Sequence, residues 1–221
     1  SASKYLSNIA IVKTVGGIVF PGHPLAINQA EMEQLIGYSK DIEASRATAR
    51  QLLKDAGVPE GFKFIFNNRG VDQPYKVVGT WLVDQWRKVG LDPQQTVKPS
   101  PQFYATLRKK YDFDVSIDFN CQSVINPIAD VSKFLCSAGN NYSQCDNPEI
   151  EDLYDRLMKA ATLDDQKAAM RAYEKAAVDF AGSSITLWWY KINPHRSYVK
   201  GWNIAPSHYL NQHLDNVWLD Q

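Results

Sequence analysis

Residues 62–119 read FKFIFNNRGVDQPYKVVGTWLVDQWRKVGLDPQQTVKPSPQFYATLRKKYDFDVSIDF, and the punctuation of this stretch decides the fold. The opening FKFIFNN is a short apolar run with the length and aromatic content of a buried strand. DQPYKVVGTWLVDQWRKVG then repeats apolar residues at Val77, Val78, Trp81, Leu82 and Val89 and stops on Gly90, a helix followed by its glycine terminator. LDPQQTVK is a second strand candidate. SPQFYATLRKKY predicts a helix with Ser100 as N-cap and Pro101 in the first turn. FDVSIDF is a third strand. Strand, helix, strand, helix, strand at this spacing predicts βαβ units on a largely parallel sheet.

Working outward, DIEASRATARQLLKDAG, residues 41–57, sets Ile42, Ala49, Leu52, Leu53 and Ala56 near one helical face and ends on Gly57. On the other side, Asn147-Pro148 opens a helix carrying Ile150, Leu153, Tyr154, Leu157, Met158 and Ala161 along one stripe. Thr162 and Asp165 form a cap for the next helix, which is expected to run to about Ala181 before Gly182. SSITLWWYKI, residues 183–192, reads as a strand, and the tail from Tyr198 is loop-like around Gly201 and Pro206. The opening stretch is weaker. IAIVKTVGGIVFPGHPLA breaks at Gly16-Gly17, Pro21 and Pro24, which predicts a short element running into an extended connector.

Composition removes several classes. Lys plus Arg and Asp plus Glu are 24 each, so the chain is formally neutral and offers no electrostatic footprint for nucleic acid or an anionic membrane. A hydrophobic content of 44% fits a globular core and not a disordered chain. No apolar run is long enough to span a bilayer. Ser1–Lys4 does not read as a signal peptide, so an export signal is expected upstream.

The usual marks of catalysis and cofactor binding are missing. There is no G-x-S-x-G elbow, no G-x-G-x-x-G or phosphate-binding loop, no H-E-x-x-H and no C-x-x-C. His23, His195, His208 and His213 have no zinc-ligand spacing. The sequence therefore calls for no metal and no cofactor, and LDD and YDFD read as a helix start and a strand flank. Cys136 and Cys145 lie nine positions apart around Gly139. That separation permits a disulfide, and a reduced buried pair is as good a reading of spacing alone.

Five collinear stretches, ARQLLKDAGVPEGFKFIF, LVDQWRKVGLD, FDVSIDF, CSAGNNYSQCDNPEIEDLYDRLMKA and VKGWN with LDNVWLD, together resemble the extracytoplasmic solute-binding proteins of ABC transporters, in the family of oligopeptide, dipeptide and nickel binders. The resemblance implies an α/β fold, the C-terminal lobe of a type II periplasmic-binding-protein architecture, with a mixed sheet flanked by helices. It implies that residues 1–39 are a connector and strand remnant of a first lobe, that 40–196 form the second, ligand-clasping lobe, and that 197–221 return to the first. The rest of that first lobe is then expected outside this chain. The implied activity is capture of a small solute or peptide between two lobes and delivery to a membrane permease, in a periplasmic or otherwise extracytoplasmic setting. An enzyme on an α/β scaffold, such as a hydrolase, is the alternative.

Dipeptide-binding members carry a disulfide around a similar N-Y-S loop, so the resemblance implies a Cys136–Cys145 bond and a free Cys121. It also implies a site at the carboxyl ends of two strands, formed by Asn67, Asn68 and Arg69 after the first and by Asn120, Gln122 and Ser123 after the third. Arg69 falls where those members hold a ligand carboxylate. The second loop departs from the pattern. Asn120 replaces a Trp, Ser123 replaces the Asp that holds a peptide amino terminus, and Asn126-Pro127 replaces Asp-Pro. A ligand with a carboxylate, or a neutral polar one, suits this set better than a zwitterionic peptide.

Overall fold

The computed structural model describes residues 6, 8, 12–110, 112–120, 126–189, 192–202 and 214–220. From the amino end come β1 (Val12–Thr14), the short α1 (Gln29–Met32) and α2 (Ile42–Asp55). A βαβαβ unit follows: β2 (Phe62–Arg69), α3 (Val77–Arg87), β3 (Leu91–Lys98), α4 (Ser100–Ala105) and β4 (Val115–Ser116). The remainder holds α5 (Pro127–Asp130), α6 (Pro148–Lys159), α7 (Leu163–Phe180) and three two-residue strands, β5 (Trp188–Trp189), β6 (Val199–Lys200) and β7 (Trp218–Leu219).

The central sheet has the order β3-β2-β4. β2 pairs in parallel with β3 from Phe62↔Leu91 to Arg69↔Lys98, and in parallel with β4 at Phe66↔Val115 and Asn67↔Ser116. Two antiparallel pairs, β1 with β5 and β6 with β7, stand apart from it. The period of two in β2 explains its placement. Phe64 and Phe66 turn toward α3, where Trp86 meets them edge-on at 5.3 and 5.0 Å and Val83 completes the contact. The opposite face of β2 carries Asn67 and Arg69.

Helix ends follow the chemistry of their sequences. Asp41 caps α2 by accepting the Glu43 and Ala44 N–H groups, and Gly57 ends it at φ +70°. Asn147 caps α6, and Thr162 caps α7 through the Asp165 N–H. Two ends differ from expectation. α7 turns left-handed at Ala181, φ +56°, before it reaches Gly182. Ser100 is not an N-cap: Pro99 takes that position without a side-chain bond, and the Ser100 hydroxyl is used elsewhere.

The larger core lies in the helical half. Ile150 and Leu157 of α6, Met170 and Tyr173 of α7, and Val131 and Leu135 pack with Ile18, Val19 and Leu25. Residues 16–27, expected as a connector, thus supply three core side chains. The reason is visible in the contacts. Glu174 of α7 is fully buried and accepts the Ile18 N–H at 2.7 Å. Arg171, one turn earlier, donates to the Leu25 and Ala26 carbonyls at 2.8 and 2.6 Å. A Cβ on Gly17 would stand 1.8 Å from the Glu174 carboxylate, so only glycine lets the chain come this close. The α2 stripe departs in the other direction: it has the expected period, yet α2 buries no residue fully, and Ile42 and Leu52 stay exposed.

The chain is an α/β protein with a parallel sheet flanked by helices. Among the described residues, no helix is long and apolar enough to cross a membrane.

Candidate ligand-binding site

The order β3-β2-β4 reverses at β2. The chain passes from β2 through α3 to one neighbour, then crosses back through α4 to the other. In open α/β sheets the crevice outside the carboxyl ends beside such a reversal is where ligands gather. The side chains there are Asn67 and Arg69 at the end of β2, and Asp118, Phe119 and Asn120 just beyond β4.

Arg69 is the hub. Its Nε donates to Ser100 Oγ at 2.8 Å and its Nη1 to the Tyr104 hydroxyl at 3.3 Å. Its guanidinium carbon lies 5.2 Å from the Tyr75 ring centroid and 5.3 Å from that of Tyr104. Stacking of this kind suits the planar, weakly hydrated guanidinium and leaves its in-plane edges for hydrogen bonds. The Ser100 hydroxyl that does not cap α4 is therefore spent on holding Arg69.

Asp118 is the counter-charge. Burial raises its pKa above the ordinary carboxylate value, opposed by its own bond from the Phe119 N–H, by the charges of Arg69 and Arg108 and by the Tyr104 hydroxyl. Arg108 stacks on the Tyr104 ring at 5.0 Å, and its Nε donates to the Tyr142 hydroxyl at 3.3 Å. Beside this polar set, Tyr75, Phe119 and Trp189 form an aromatic wall with centroids 5.9 to 6.5 Å apart. Burial pushes the Tyr75 phenol well above its usual range.

The residues expected here fare differently. Asn67 lies on the Arg69 face, fully buried, with its amide donating to Ser116 Oγ at 3.3 Å and its Oδ1 buried without a hydrogen bond. Asn68 is turned the other way, because successive residues of a strand face opposite sides. Its amide donates to the Tyr75 carbonyl at 3.2 Å, and a Cβ on Gly79 of α3 would come within 1.9 Å of it. Asn68, expected at the ligand site, fastens the turn after β2 from behind. Asn120 is exposed at the end of the β4 segment. Gln122 and Ser123, with Cys121, lie outside the described residues. Cys136 and Cys145 are bonded, their Cα atoms 5.1 Å apart.

Four contributors were not anticipated: Asp118, Tyr104, Arg108 and Tyr142. Three carried a signal. Tyr104 and Arg108 are four apart in the helix that SPQFYATLRKKY predicts and so share a face. Asp118 alternates with Ser116 along a strand and must share its side with Asn67.

No protein-family model matches the chain, and no curated protein matches it either. Solved structures do. The dipeptide-binding protein of Pseudoalteromonas sp. SM9913, in complex with Met-Leu, matches with a TM-score of 0.77 at 16% identity, over 98% of this chain and 42% of that one. The ABC transporter-associated periplasmic binding protein DppA of Helicobacter pylori, in complex with the peptide STSA, gives 0.75 at 17% identity, over 100% and 42%. OppA of Haemophilus influenzae, in complex with RPPGFSPFR, gives 0.73 at 20%, over 94% and 40%. The chain has the fold of these binding proteins and spans about two fifths of their length.

Proposed function

We propose that this chain is the ligand-clasping lobe of a solute-binding component of an ABC-type uptake transporter, a binder and not an enzyme. In this reading the lobe faces a first lobe of the same protein across the crevice, works in the periplasm or on the outer face of a membrane, and delivers its ligand to a membrane permease. The lobe takes in residues 40–196 together with 16–27, whose side chains fill its helical core. The observation that carries the reading is Arg69. It is fixed by Ser100 and Tyr104 at the carboxyl end of β2, beside the aromatic wall, in a fold shared with peptide-binding transport proteins.

Arg69 supports a ligand with a carboxylate, which a guanidinium binds by two parallel charge-assisted hydrogen bonds. Asp118 does not supply the clamp for an ammonium that Ser123 lacks, because it is committed to Tyr104 and to two arginines. An ammonium brought into a closing cleft without a partner costs on the order of 3 kcal/mol or more. Organic acids are therefore expected to stabilise the protein more than dipeptides or oligosaccharides of similar size in a thermal-shift screen. Arg69→Ala is expected to remove that stabilisation. Strongest stabilisation by dipeptides, or an Arg69→Ala variant that binds the best ligand unchanged, would overturn this assignment.

A further inference from the structure

The cluster around Tyr104 holds more positive charge than its own residues neutralise. Arg69 and Arg108 both stack on the one Tyr104 ring, at 5.3 and 5.0 Å, so their guanidinium carbons lie within about 10 Å of each other. Lys98 is the register partner of Arg69 on the neighbouring strand, with its ammonium donating to Thr106 Oγ1 at 3.1 Å. Against these three cations, a single carboxylate among the described residues, Asp118, acts on both arginines. The adjoining sequence does not restore the balance: lysines at 109–110 are offset by Asp112 and Asp114, and 121–125, CQSVI, are uncharged.

Like charges held this close repel, and although Arg108 is open to water, the repulsion grows as a cleft excludes water. The arginines are nevertheless fastened there by neutral partners, Ser100 for Arg69 and the Tyr142 hydroxyl for Arg108. Neutral partners fix geometry without cancelling charge, which is what a preorganised anion site needs.

We propose that this face takes a small ligand with two acid groups, a dicarboxylate, with Arg69 holding one carboxylate and Arg108 the other across the Tyr104 ring. The inference rests on the preceding assignment of Arg69 and adds the second anchor. Tyr142 makes the disulfide loop part of the site, as a positioning residue: it aims Arg108 without touching ligand. The two guanidinium carbons stand within about 10 Å of each other, so both forks are within reach of one short dicarboxylate such as glutarate or adipate.

The test is calorimetric titration of the protein with glutarate and adipate, against butyrate and pentanoate as single acids and glycylglycine as a zwitterion. The dicarboxylates are expected to bind about tenfold tighter or more, the ratio that one further charge-assisted contact supports. Arg108→Gln should bring them down to about the level of the single acids, a loss several-fold larger than any it causes for the single acids themselves. Tyr142→Phe, which keeps the ring, should lose part of the same advantage. Circular dichroism and the melting temperature check that both variants fold. Equal affinity for one and two acids in the unaltered protein would overturn the inference, as would an Arg108→Gln loss shared equally by both classes. If single acids bind and Arg69→Ala abolishes them, the Arg69 assignment survives such a failure. If no acid of either class binds, both fall.

Discussion

Two places where arginine and carboxylate meet, around Glu174 and around Asp118, differ in a way that separates architecture from recognition. In the helical half, Glu174 is fully buried, accepts the Ile18 N–H and faces Arg171, whose Nε donates to Glu31 and whose Nη groups donate to the Leu25 and Ala26 carbonyls. Every named partner belongs to the chain, and together they bind residues 16–27 onto α7. In the sheet half, Asp118 is only partly buried and faces two arginines whose other neighbours are uncharged rings and hydroxyls. Burial raises both carboxyl pKa values, and the two centres carry excess charge of opposite sign: Arg171 meets two carboxylates, Glu174 and Glu31, whereas two arginines act on Asp118. A closed centre holds the fold, and an open one can hold a ligand.

The comparison can be broken most directly by removing each carboxylate. Glu174→Ala leaves the buried Ile18 N–H without its acceptor and takes one of two carboxylates from Arg171, and is expected to cost about 3 kcal/mol in urea unfolding. Asp118→Ala, at a partly solvated pair, should cost less than about 1 kcal/mol. Equal losses would mean that the two centres are alike.

Next in size is the disulfide, which touches both halves. Its loop is pinned on the helical side by Glu151, which accepts from the Ser137 N–H and hydroxyl, and reaches the site through Tyr142. Replacing Cys136 and Cys145 by serine should lower stability by about 2–3 kcal/mol, from the entropy of closing so short a loop. It should also weaken acid binding, whereas Glu174→Ala should not.

Acid titration sharpens the contrast further. The folded pKa of Glu174 lies above its ordinary value of 4.5, so the native state binds more protons than the unfolded chain in the window above that value. Stability from this group therefore falls as pH rises through the folded pKa, and its penalty vanishes below about pH 4.5. The stability of the Glu174→Gln variant, measured against the unaltered protein from pH 4 to 7, should rise relative to it with pH. Asp118→Asn should show the same sign with a shallower slope, since water reaches Asp118 and not Glu174. The smallest expected effect is at Ala181, held at φ +56°: Ala181→Gly should add about 0.5–1 kcal/mol by relieving a left-handed residue that carries a Cβ.

Much of this fold is legible in the sequence because local signals and packing agree. The βαβαβ unit from Phe62 to Ser116 follows from period and glycine stops, and α6 and α7 begin at the caps that Asn147 and Thr162 announce. Residues 16–27 are different. Their glycines and prolines mark a break in regular structure, and nothing periodic shows that Ile18, Val19 and Leu25 are inside. Their burial is decided by Glu174 and Arg171, about 150 residues away. The site divides in the same manner. Arg69 is marked by its place after a strand and by the resemblance, while Asp118 reads only as one residue of the FDVSIDF strand until β4 is laid beside β2. Ser100 shows a local rule yielding to a tertiary one, since its hydroxyl meets Arg69 and not the helix that it begins.

The grip of α7 on the first part of the chain also has a consequence for synthesis. Ile18 is made 156 residues before Glu174, the group that fixes its backbone. At about 5–20 residues per second, the apolar side chains of residues 18–25 wait on the order of 10–30 s for the helix that covers them. Throughout that interval they are free to meet a chaperone or an export factor, and the core of the helical half cannot close until α7 has been made.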